Sequence, residues 1–171
     1  MRWAALPEVR IVEVRSAGEL EQAFAIRRAV FVREQGVSEA LEIDQRDDEA
    51  CHLLALRAGE PIGTLRLRWL ERGRIAKIER VAVARQGRGS GVGQALMSAA
   101  LARAEADGAT EARLHAQTVA QAFYAKLGFA AFGPVFDEDG IPHIAMRRPL
   151  PGRSARARSR PPRSAARPAS G

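Results

Sequence analysis

Two short turns constrain this chain more than any other feature. Ala58-Gly59-Glu60-Pro61 and Glu71-Arg72-Gly73 each separate two apolar-rich runs, and neither leaves room for a helical crossover. Strands joined so closely must run antiparallel. Cys51 to Leu56 is the first run. Ile62, Thr64, Leu65, Leu67 and Trp69 mark the second, and Arg74 to Val83 is the third. Arg66 and Arg68, interleaved in the second run, are expected on an exposed face. This part of the chain is therefore a meander.

Helical and extended patterns alternate around it. Ile11 to Val14 reads as a strand. Ser16-Ala17-Gly18-Glu19 has capping-box spacing, and Leu20, Phe24, Arg27 and Phe31 follow at helical intervals. Beyond Val83 comes a glycine-rich loop, then a helix from about Gly91 to Asp107, stopped by Gly108. Ala112 to His115 is a strand candidate. Thr118-Val119-Ala120-Gln121 offers a second capping box for a helix ending at Gly128. Ala130–Phe132 and His143–Arg147 complete an α/β chain without internal repeats.

The 171 residues suit one domain, and their charge is unevenly spread. Six of the 27 basic residues lie in 151–171, where no acid occurs, so residues 1–150 are close to neutral. That terminal segment contains only Arg, Pro, Ala, Ser and Gly. It has no large apolar side chain to bury, and it reads as a disordered tail. Such a tail either attracts nucleic acid, an acidic partner or a membrane surface, or is simply solvated. The single cysteine, Cys51, cannot close an internal disulfide. No apolar run approaches the roughly 20 residues of a membrane span, and residues 1–8 lack the apolar stretch of a signal peptide. A cytoplasmic protein with no membrane contact is expected.

Residues 81–96 run strand, glycine loop, helix: Val81-Ala82-Val83-Ala84-Arg85-Gln86-Gly87-Arg88-Gly89-Ser90-Gly91-Val92-Gly93-Gln94-Ala95-Leu96. Consecutive backbone N–H groups and a helix N-terminus favour an anion there. A triphosphatase loop needs Gly-Lys-Ser/Thr, but Gly93 is followed by Gln94-Ala95. The dinucleotide spacing G-x-G-x-x-G also fails, with Gln94 or Leu96 at the third glycine position. A purely structural glycine loop stays open as an alternative.

Arg88-Gly89-Ser90-Gly91-Val92-Gly93 resembles the Q/R-x-x-G-x-G/A motif of the GNAT superfamily of acyl-CoA-dependent N-acyltransferases. Phe123-Tyr124-Ala125-Lys126-Leu127-Gly128-Phe129 resembles the family's FYxKLGF helix end. Val30–Gln35, Glu42-Ile43-Asp44, His115-Ala116-Gln117 and Glu138–His143 are similar to the ElaA-like branch. The resemblance covers about residues 11–150. It implies a mixed, mostly antiparallel sheet flanked by helices and splayed between its fourth strand (74–83) and its fifth (112–115). Acetyl-CoA would lie in that opening.

The same resemblance implies roles for particular residues. The backbone of Arg88, Gly89, Ser90, Gly91, Val92 and Gly93 would hold the pyrophosphate, with Arg88 adding charge. Val81, Ala82 and Val83 would pair with the pantetheine amides. Tyr124, the chain's single tyrosine, would protonate the departing thiolate; a packing role is the alternative. Gln117 stands where many relatives carry an asparagine that contacts CoA. The acceptor ammonium must lose a proton before it attacks. Glu79 is the first candidate for that step, or else a carboxylate paired with a neighbouring arginine. His52, His115 and His143 are further candidates, and no metal site is expected. Seven acids lie between Glu34 and Glu49. They form either a solvated face or, as in relatives, a cover over the acceptor site, where Glu34, Gln35 and His143 would meet substrate.

The expected activity is direct acetyl transfer from acetyl-CoA to a primary amine in a ternary complex. A protein amine as acceptor, or a CoA- or nucleic-acid-binding module without catalysis, is the alternative. Aromatic residues make up only 5% of the chain, few for base stacking. Monomer and homodimer are both compatible with the sequence.

Overall fold

The computed structural model describes residues 8–152. The tail expected at 151–171 therefore lies outside the described residues, apart from Pro151 and Gly152. The chain runs β1 (Val9–Glu13), α1 (Ala17–Arg27), a π-helical continuation (Arg28–Glu34), α2 (Glu39–Glu42), β2 (Cys51–Arg57), β3 (Glu60–Leu70), β4 (Ile75–Val83), α3 (Val92–Ala106), β5 (Glu111–Gln117), α4 (Gln121–Lys126), β6 (Ala130–Ala131), β7 (Phe136–Glu138) and β8 (Ile141–Pro149). One sheet takes them in the order β1-β2-β3-β4-β5-β8-β6, with β7 paired to the start of β8. Only β4 and β5 are parallel, and they pair over just three positions: Ile75↔Glu111, Ala76↔Ala112 and Lys77↔Arg113. Beyond Lys77 the two strands separate. The splay expected between the fourth and fifth strands is present.

Helices cover both faces. On one, Val92, Leu96, Met97 and Ala100 of α3 pack on Leu65, Leu67, Ala76 and Ile78. On the other, Ala23, Ile26 and Val30 pack on Leu54 and Ala82. Ala76, Ile78 and Ala82 share sequence parity, yet Ala82 lies on the opposite face. A bulge explains this. Thr64 pairs with Ala82 and Arg66 with Glu79, so Arg80 and Val81 together oppose Leu65. Arg80 has φ +56, an uncommon value for a residue with a Cβ. The inserted residue turns the end of β4 over and exchanges its faces.

Three sequence expectations are corrected. Arg66 is not exposed but 1% accessible, because α1 and the segment after it cover that side of β3. Thr118 does not cap α4: residues Thr118–Ala120 form a 3-10 turn, and α4 starts after Ala120 without a side-chain cap. The Ser16 box is displaced. Ser16 Oγ accepts from Glu19 N, but Glu19 reaches the N–H of Arg15 at 2.7 Å instead of that of Ser16.

Candidate active site

The divergence of β4 and β5 opens a cavity whose walls come from separate elements. Phe31 and Gln35 enter from the π-helical turn, Lys77, Glu79 and Val81 from β4, and His115 and Gln117 from β5. Tyr124 of α4 and Glu138 and His143 of the β7–β8 hairpin close it. Gln35 and Gln117 exchange side-chain amide hydrogen bonds at 2.8 and 3.3 Å, and so bridge the mouth. Tyr124 is 9% accessible, and its ring is held edge-on by Phe123 and Phe129. Burial alone pushes its phenol up to about 12, so it keeps its proton at neutral pH.

Beyond the free end of β4 the chain enters the glycine loop. Gly89 and Gly91 have φ of +72 and +81, and a Cβ on either would meet nothing within 4 Å. Gly93 differs: a Cβ there would come within 3.3 Å of the Phe123 ring, so this glycine lets α4 approach α3. Among the described residues, the N–H groups of Gly89, Ser90 and Gly91 and of the first turn of α3 (Val92, Gly93, Gln94) donate to no protein acceptor. That open row of donors fits a pyrophosphate. Ser90 Oγ is engaged behind the loop, donating to Gly87 O at 2.7 Å and accepting from Arg57 at 2.6 Å. Only the backbone of Ser90 is therefore free for a ligand. Arg88 lies across the opening, its Nε donating to Val83 O at 3.0 Å and its Nη2 to Glu34 at 2.8 Å. Glu34 and Arg88, expected at acceptor and cofactor, thus meet each other.

Most of the acids between Glu39 and Glu49 are taken up by arginines, including Glu42, which also lines the cavity. Arg27 binds Glu42 and Asp47, each at 2.7 Å, and is itself 1% accessible. Arg66 bridges Asp44 at 2.6 Å, Asp47 at 2.9 Å and Glu79 at 2.8 Å. Arg80 reaches Glu42 at 3.1 Å. Isolated charges at these depths would be costly, and the interlocked pairs satisfy one another. Arg68 donates to both Glu79 oxygens at 2.8 and 2.9 Å. Arg68 and Arg66 outweigh the cost of burial and hold the Glu79 carboxyl down at about 2. The arginine pairing anticipated as the alternative for Glu79 is what the structure contains. A carboxylate so stabilised is a weak proton acceptor.

The cavity offers another acceptor. His143 Nδ1 lies 2.7 Å from Ile141 O, a contact that only an N–H satisfies, so Nδ1 is the protonated nitrogen. Nε2, 3.5 Å from Glu138, is then the nitrogen at which the ring can take up or release a proton. His115 Nδ1 is 3.1 Å from the other Glu138 oxygen. His52 belongs elsewhere, its Nε2 on Asp47 O at 2.9 Å and its pKa lowered by burial. Cys51 lies on β2 beside Glu13 and Arg103, and burial pushes its thiol up to about 11. It is not a poised nucleophile.

Sequence reasoning missed Lys77, Arg80, Glu138 and the strand β7. One signal was available. Lys77 is one of only two lysines in a chain that otherwise uses arginine.

A splayed sheet with a donor-lined glycine loop and a tyrosine in its opening defines an acyl-CoA-dependent N-acyltransferase fold. The family model for the acetyltransferase (GNAT) domain matches residues 14–150, and the chain belongs to that family. Among curated proteins it is 36% identical over 140 residues to the uncharacterized N-acetyltransferase YjcF of Bacillus subtilis, covering 81% of this chain and 98% of that one. Escherichia coli ElaA shares 31% identity at a TM-score of 0.73, over 82% of this chain and 99% of its own. An acyl-CoA N-acyltransferase from Pseudomonas aeruginosa shares 35% identity at a TM-score of 0.73, over 82% and 99% of the respective chains. No helix among the described residues is long and apolar enough to cross a membrane.

Proposed function

We propose that this N-acyltransferase uses acetyl-CoA to acetylate a primary amine by direct attack within a ternary complex. The observation that carries this reading is the diverging end of β4, which lines a cavity with a buried, protonated Tyr124 and leads directly into a loop of unpaired N–H donors. The donors would take the pyrophosphate, and the free edge of Val81, Ala82 and Val83 would pair with the pantetheine amides. The acceptor would enter beside Gln35 and His143. His143 Nε2 takes the ammonium proton, and the resulting imidazolium is held by Glu138. The amine lone pair then attacks the thioester carbonyl, the C–N bond forms, and the C–S bond breaks. The thiolate leaves with the proton of Tyr124, and the nitrogen passes its remaining extra proton through solvent to the tyrosinate. His143 releases the first proton to bulk water, so amide and free thiol form with one net proton released. Glu79, its charge taken up by Arg66 and Arg68, fixes those side chains in the wall of the cavity and moves no proton. Direct attack is favoured over a covalent acetyl-enzyme because the Cys51 thiol is pushed up to about 11 by burial and lies on β2, outside the residues that line the cavity.

Incubation of the protein with acetyl-CoA and a panel of amines, following free thiol, tests the reading. Amine-dependent thiol release with a stoichiometric N-acetyl product is expected. A protein that binds CoA yet acetylates none of the panel, peptide amines included, would instead be a binding module.

A further inference from the structure

Next to the cavity, and sharing Lys77, Glu79, Arg80, His115, Glu138 and Asp139 with it, a groove runs outward over β3 and β4. Its charges are not balanced. Five cationic side chains line it (Arg46, Arg66, Arg68, Lys77, Arg80) against three acids (Glu79, Glu138, Asp139). Most of these are mutually engaged. Arg66 and Arg68 hold Glu79, Arg80 holds Glu42 and Asp44, and Glu138 faces two histidines. Two cations are left over. Lys77 and Arg46 make no side-chain hydrogen bond or ion pair with any described residue, and the one unengaged acid, Asp139, lies on the exposed rim.

Lys77 is the more informative of the two. It occupies the last position at which β4 and β5 pair, at the apex of the opening. Arg68 on β3 and Arg113 on β5 stand directly opposite it on either side. Like charges placed directly across strands repel. Arg68 is relieved by Glu79 and Arg113 by Glu111, whereas Lys77, half-buried between them, makes no direct ion pair, and Glu79 and Glu138 act on it only from beyond contact distance. A half-buried cation in a row of cations, opening into a groove, is a seat for an anion. Burial lowers the Lys77 pKa against the opposing pull of Glu79 and Glu138, Arg68 and Arg113 add to the lowering, and a bound anion would reverse it. Arg46, exposed at the outer end, supplies a second donor, and Leu41 and Leu70 provide apolar wall between the charged groups.

We infer that the acceptor is an amine that also carries a carboxylate, the carboxylate being held by Lys77 and Arg46 while the amine reaches the cavity at His143 and Tyr124. This inference rests on the transferase reading above and adds the substrate class. The ammonium and carboxylate of one acceptor would then be read at opposite ends of a continuous channel, the acids serving the first and the unpaired cations the second.

The test is a matched series: ω-amino acids with one to five methylenes, each beside its own amide, assayed by thiol release with saturating acetyl-CoA. For the best chain length, kcat/KM should favour the acid over the amide by about 10- to 100-fold, as expected for a charge-assisted pair. Arg46→Gln, at an exposed position, should reduce that ratio several-fold, and Arg46→Glu should reduce it further. Lys77→Gln should bring it close to one. Lys77 is half-buried, so its variant is first checked by circular dichroism, and Arg46→Glu carries the test if Lys77→Gln does not fold. Equal use of acid and amide at every length, or a ratio unmoved by Arg46→Glu, overturns the inference while leaving the transferase standing. If no amine of any kind turns over, the transferase reading fails instead. The seat is then judged by thermal shift with the N-acetyl ω-amino acids: a rise in Tm abolished by Arg46→Glu upholds it, and none refutes it.

Discussion

The Nη2 of Arg88 donates to both carboxylate oxygens of Glu34, at 3.1 and 2.8 Å, while its Nε holds the carbonyl of Val83 at 3.0 Å. One side chain thus ties the glycine loop to the π-helical turn and occupies a backbone acceptor in the proposed pantetheine path. A ligand on the loop competes with that arrangement. Glu34→Gln should release Arg88 for the phosphates and tighten CoA binding by about 2- to 5-fold, the range of an exposed ion pair. Arg88→Ala should weaken binding and flatten its dependence on salt. Calorimetric titration of CoA at two salt concentrations reads both effects.

Gly91→Val should bind CoA at least tenfold more weakly in a protein that remains folded. A Cβ at this position meets no neighbour, so the substitution strains the φ of +81 without disturbing the core. The strain moves the N–H groups at the start of α3. A folded variant with native CoA affinity would remove the loop from the binding site.

Tyr124→Phe retains the ring between Phe123 and Phe129 and removes only the hydroxyl. CoA affinity should hold, and kcat should fall by about 100-fold or more if the phenol supplies the leaving-group proton. Pre-steady-state measurement ensures that the chemical step is observed. An unchanged rate would reduce Tyr124 to packing.

The acidic limb of the rate profile separates the two candidates for the amine's proton. With its carboxyl at about 2, Glu79 is ionised throughout the working range, and Glu79→Gln should lower the whole profile while leaving the limb in place. His143→Gln should remove the limb. If Glu79→Gln abolishes it instead, the roles exchange.

Stability in acid should follow the buried ion network. Asp44 and Asp47 are held below the usual carboxylate range by the arginines around them, and Glu79 lies lower still. For such groups the unfolded chain binds protons first. Their contribution is complete above the ordinary carboxylate pKa of about 4 and drains as pH falls toward the folded values. Glu42, raised by its own burial, takes up its proton earlier in the folded state and offsets part of the loss. Asp47→Asn leaves Arg27 and Arg66 short of charge and should cost about 3 kcal/mol or more at pH 7. Its Tm should also fall less steeply between pH 5 and 2 than that of the unaltered protein.

The meander, the glycine loop and the tyrosine helix were legible because each depends on local signals: short turns, glycines, aromatic spacing. The network was not. Alternation along β3 identifies which residues share a face, and the polar set was assigned to solvent. Here both faces of the sheet are covered, and Arg66 is buried with counterions from a loop some twenty residues earlier. The segment from Glu34 to Glu49 reads as a solvated face or an acceptor cover, because charge count does not reveal that Glu42 and Asp47 point inward. The bulge at Arg80 escaped for a related reason: an inserted residue is visible only against its partner strand, which one sequence does not display.

The parallel seam from Ile75 to Lys77 has a mechanical meaning. Three residue pairs are all that join the plate β1–β4 to the plate β5–β8 along their shared line. Beyond that seam no backbone ladder joins the two plates among the described residues, so the β4 amides facing the gap lack a β5 partner to protect them from exchange with water. A pantetheine chain lying there would serve as a missing length of strand. The donor molecule would then be clamped and, in the same act, would rivet the halves of the enzyme together.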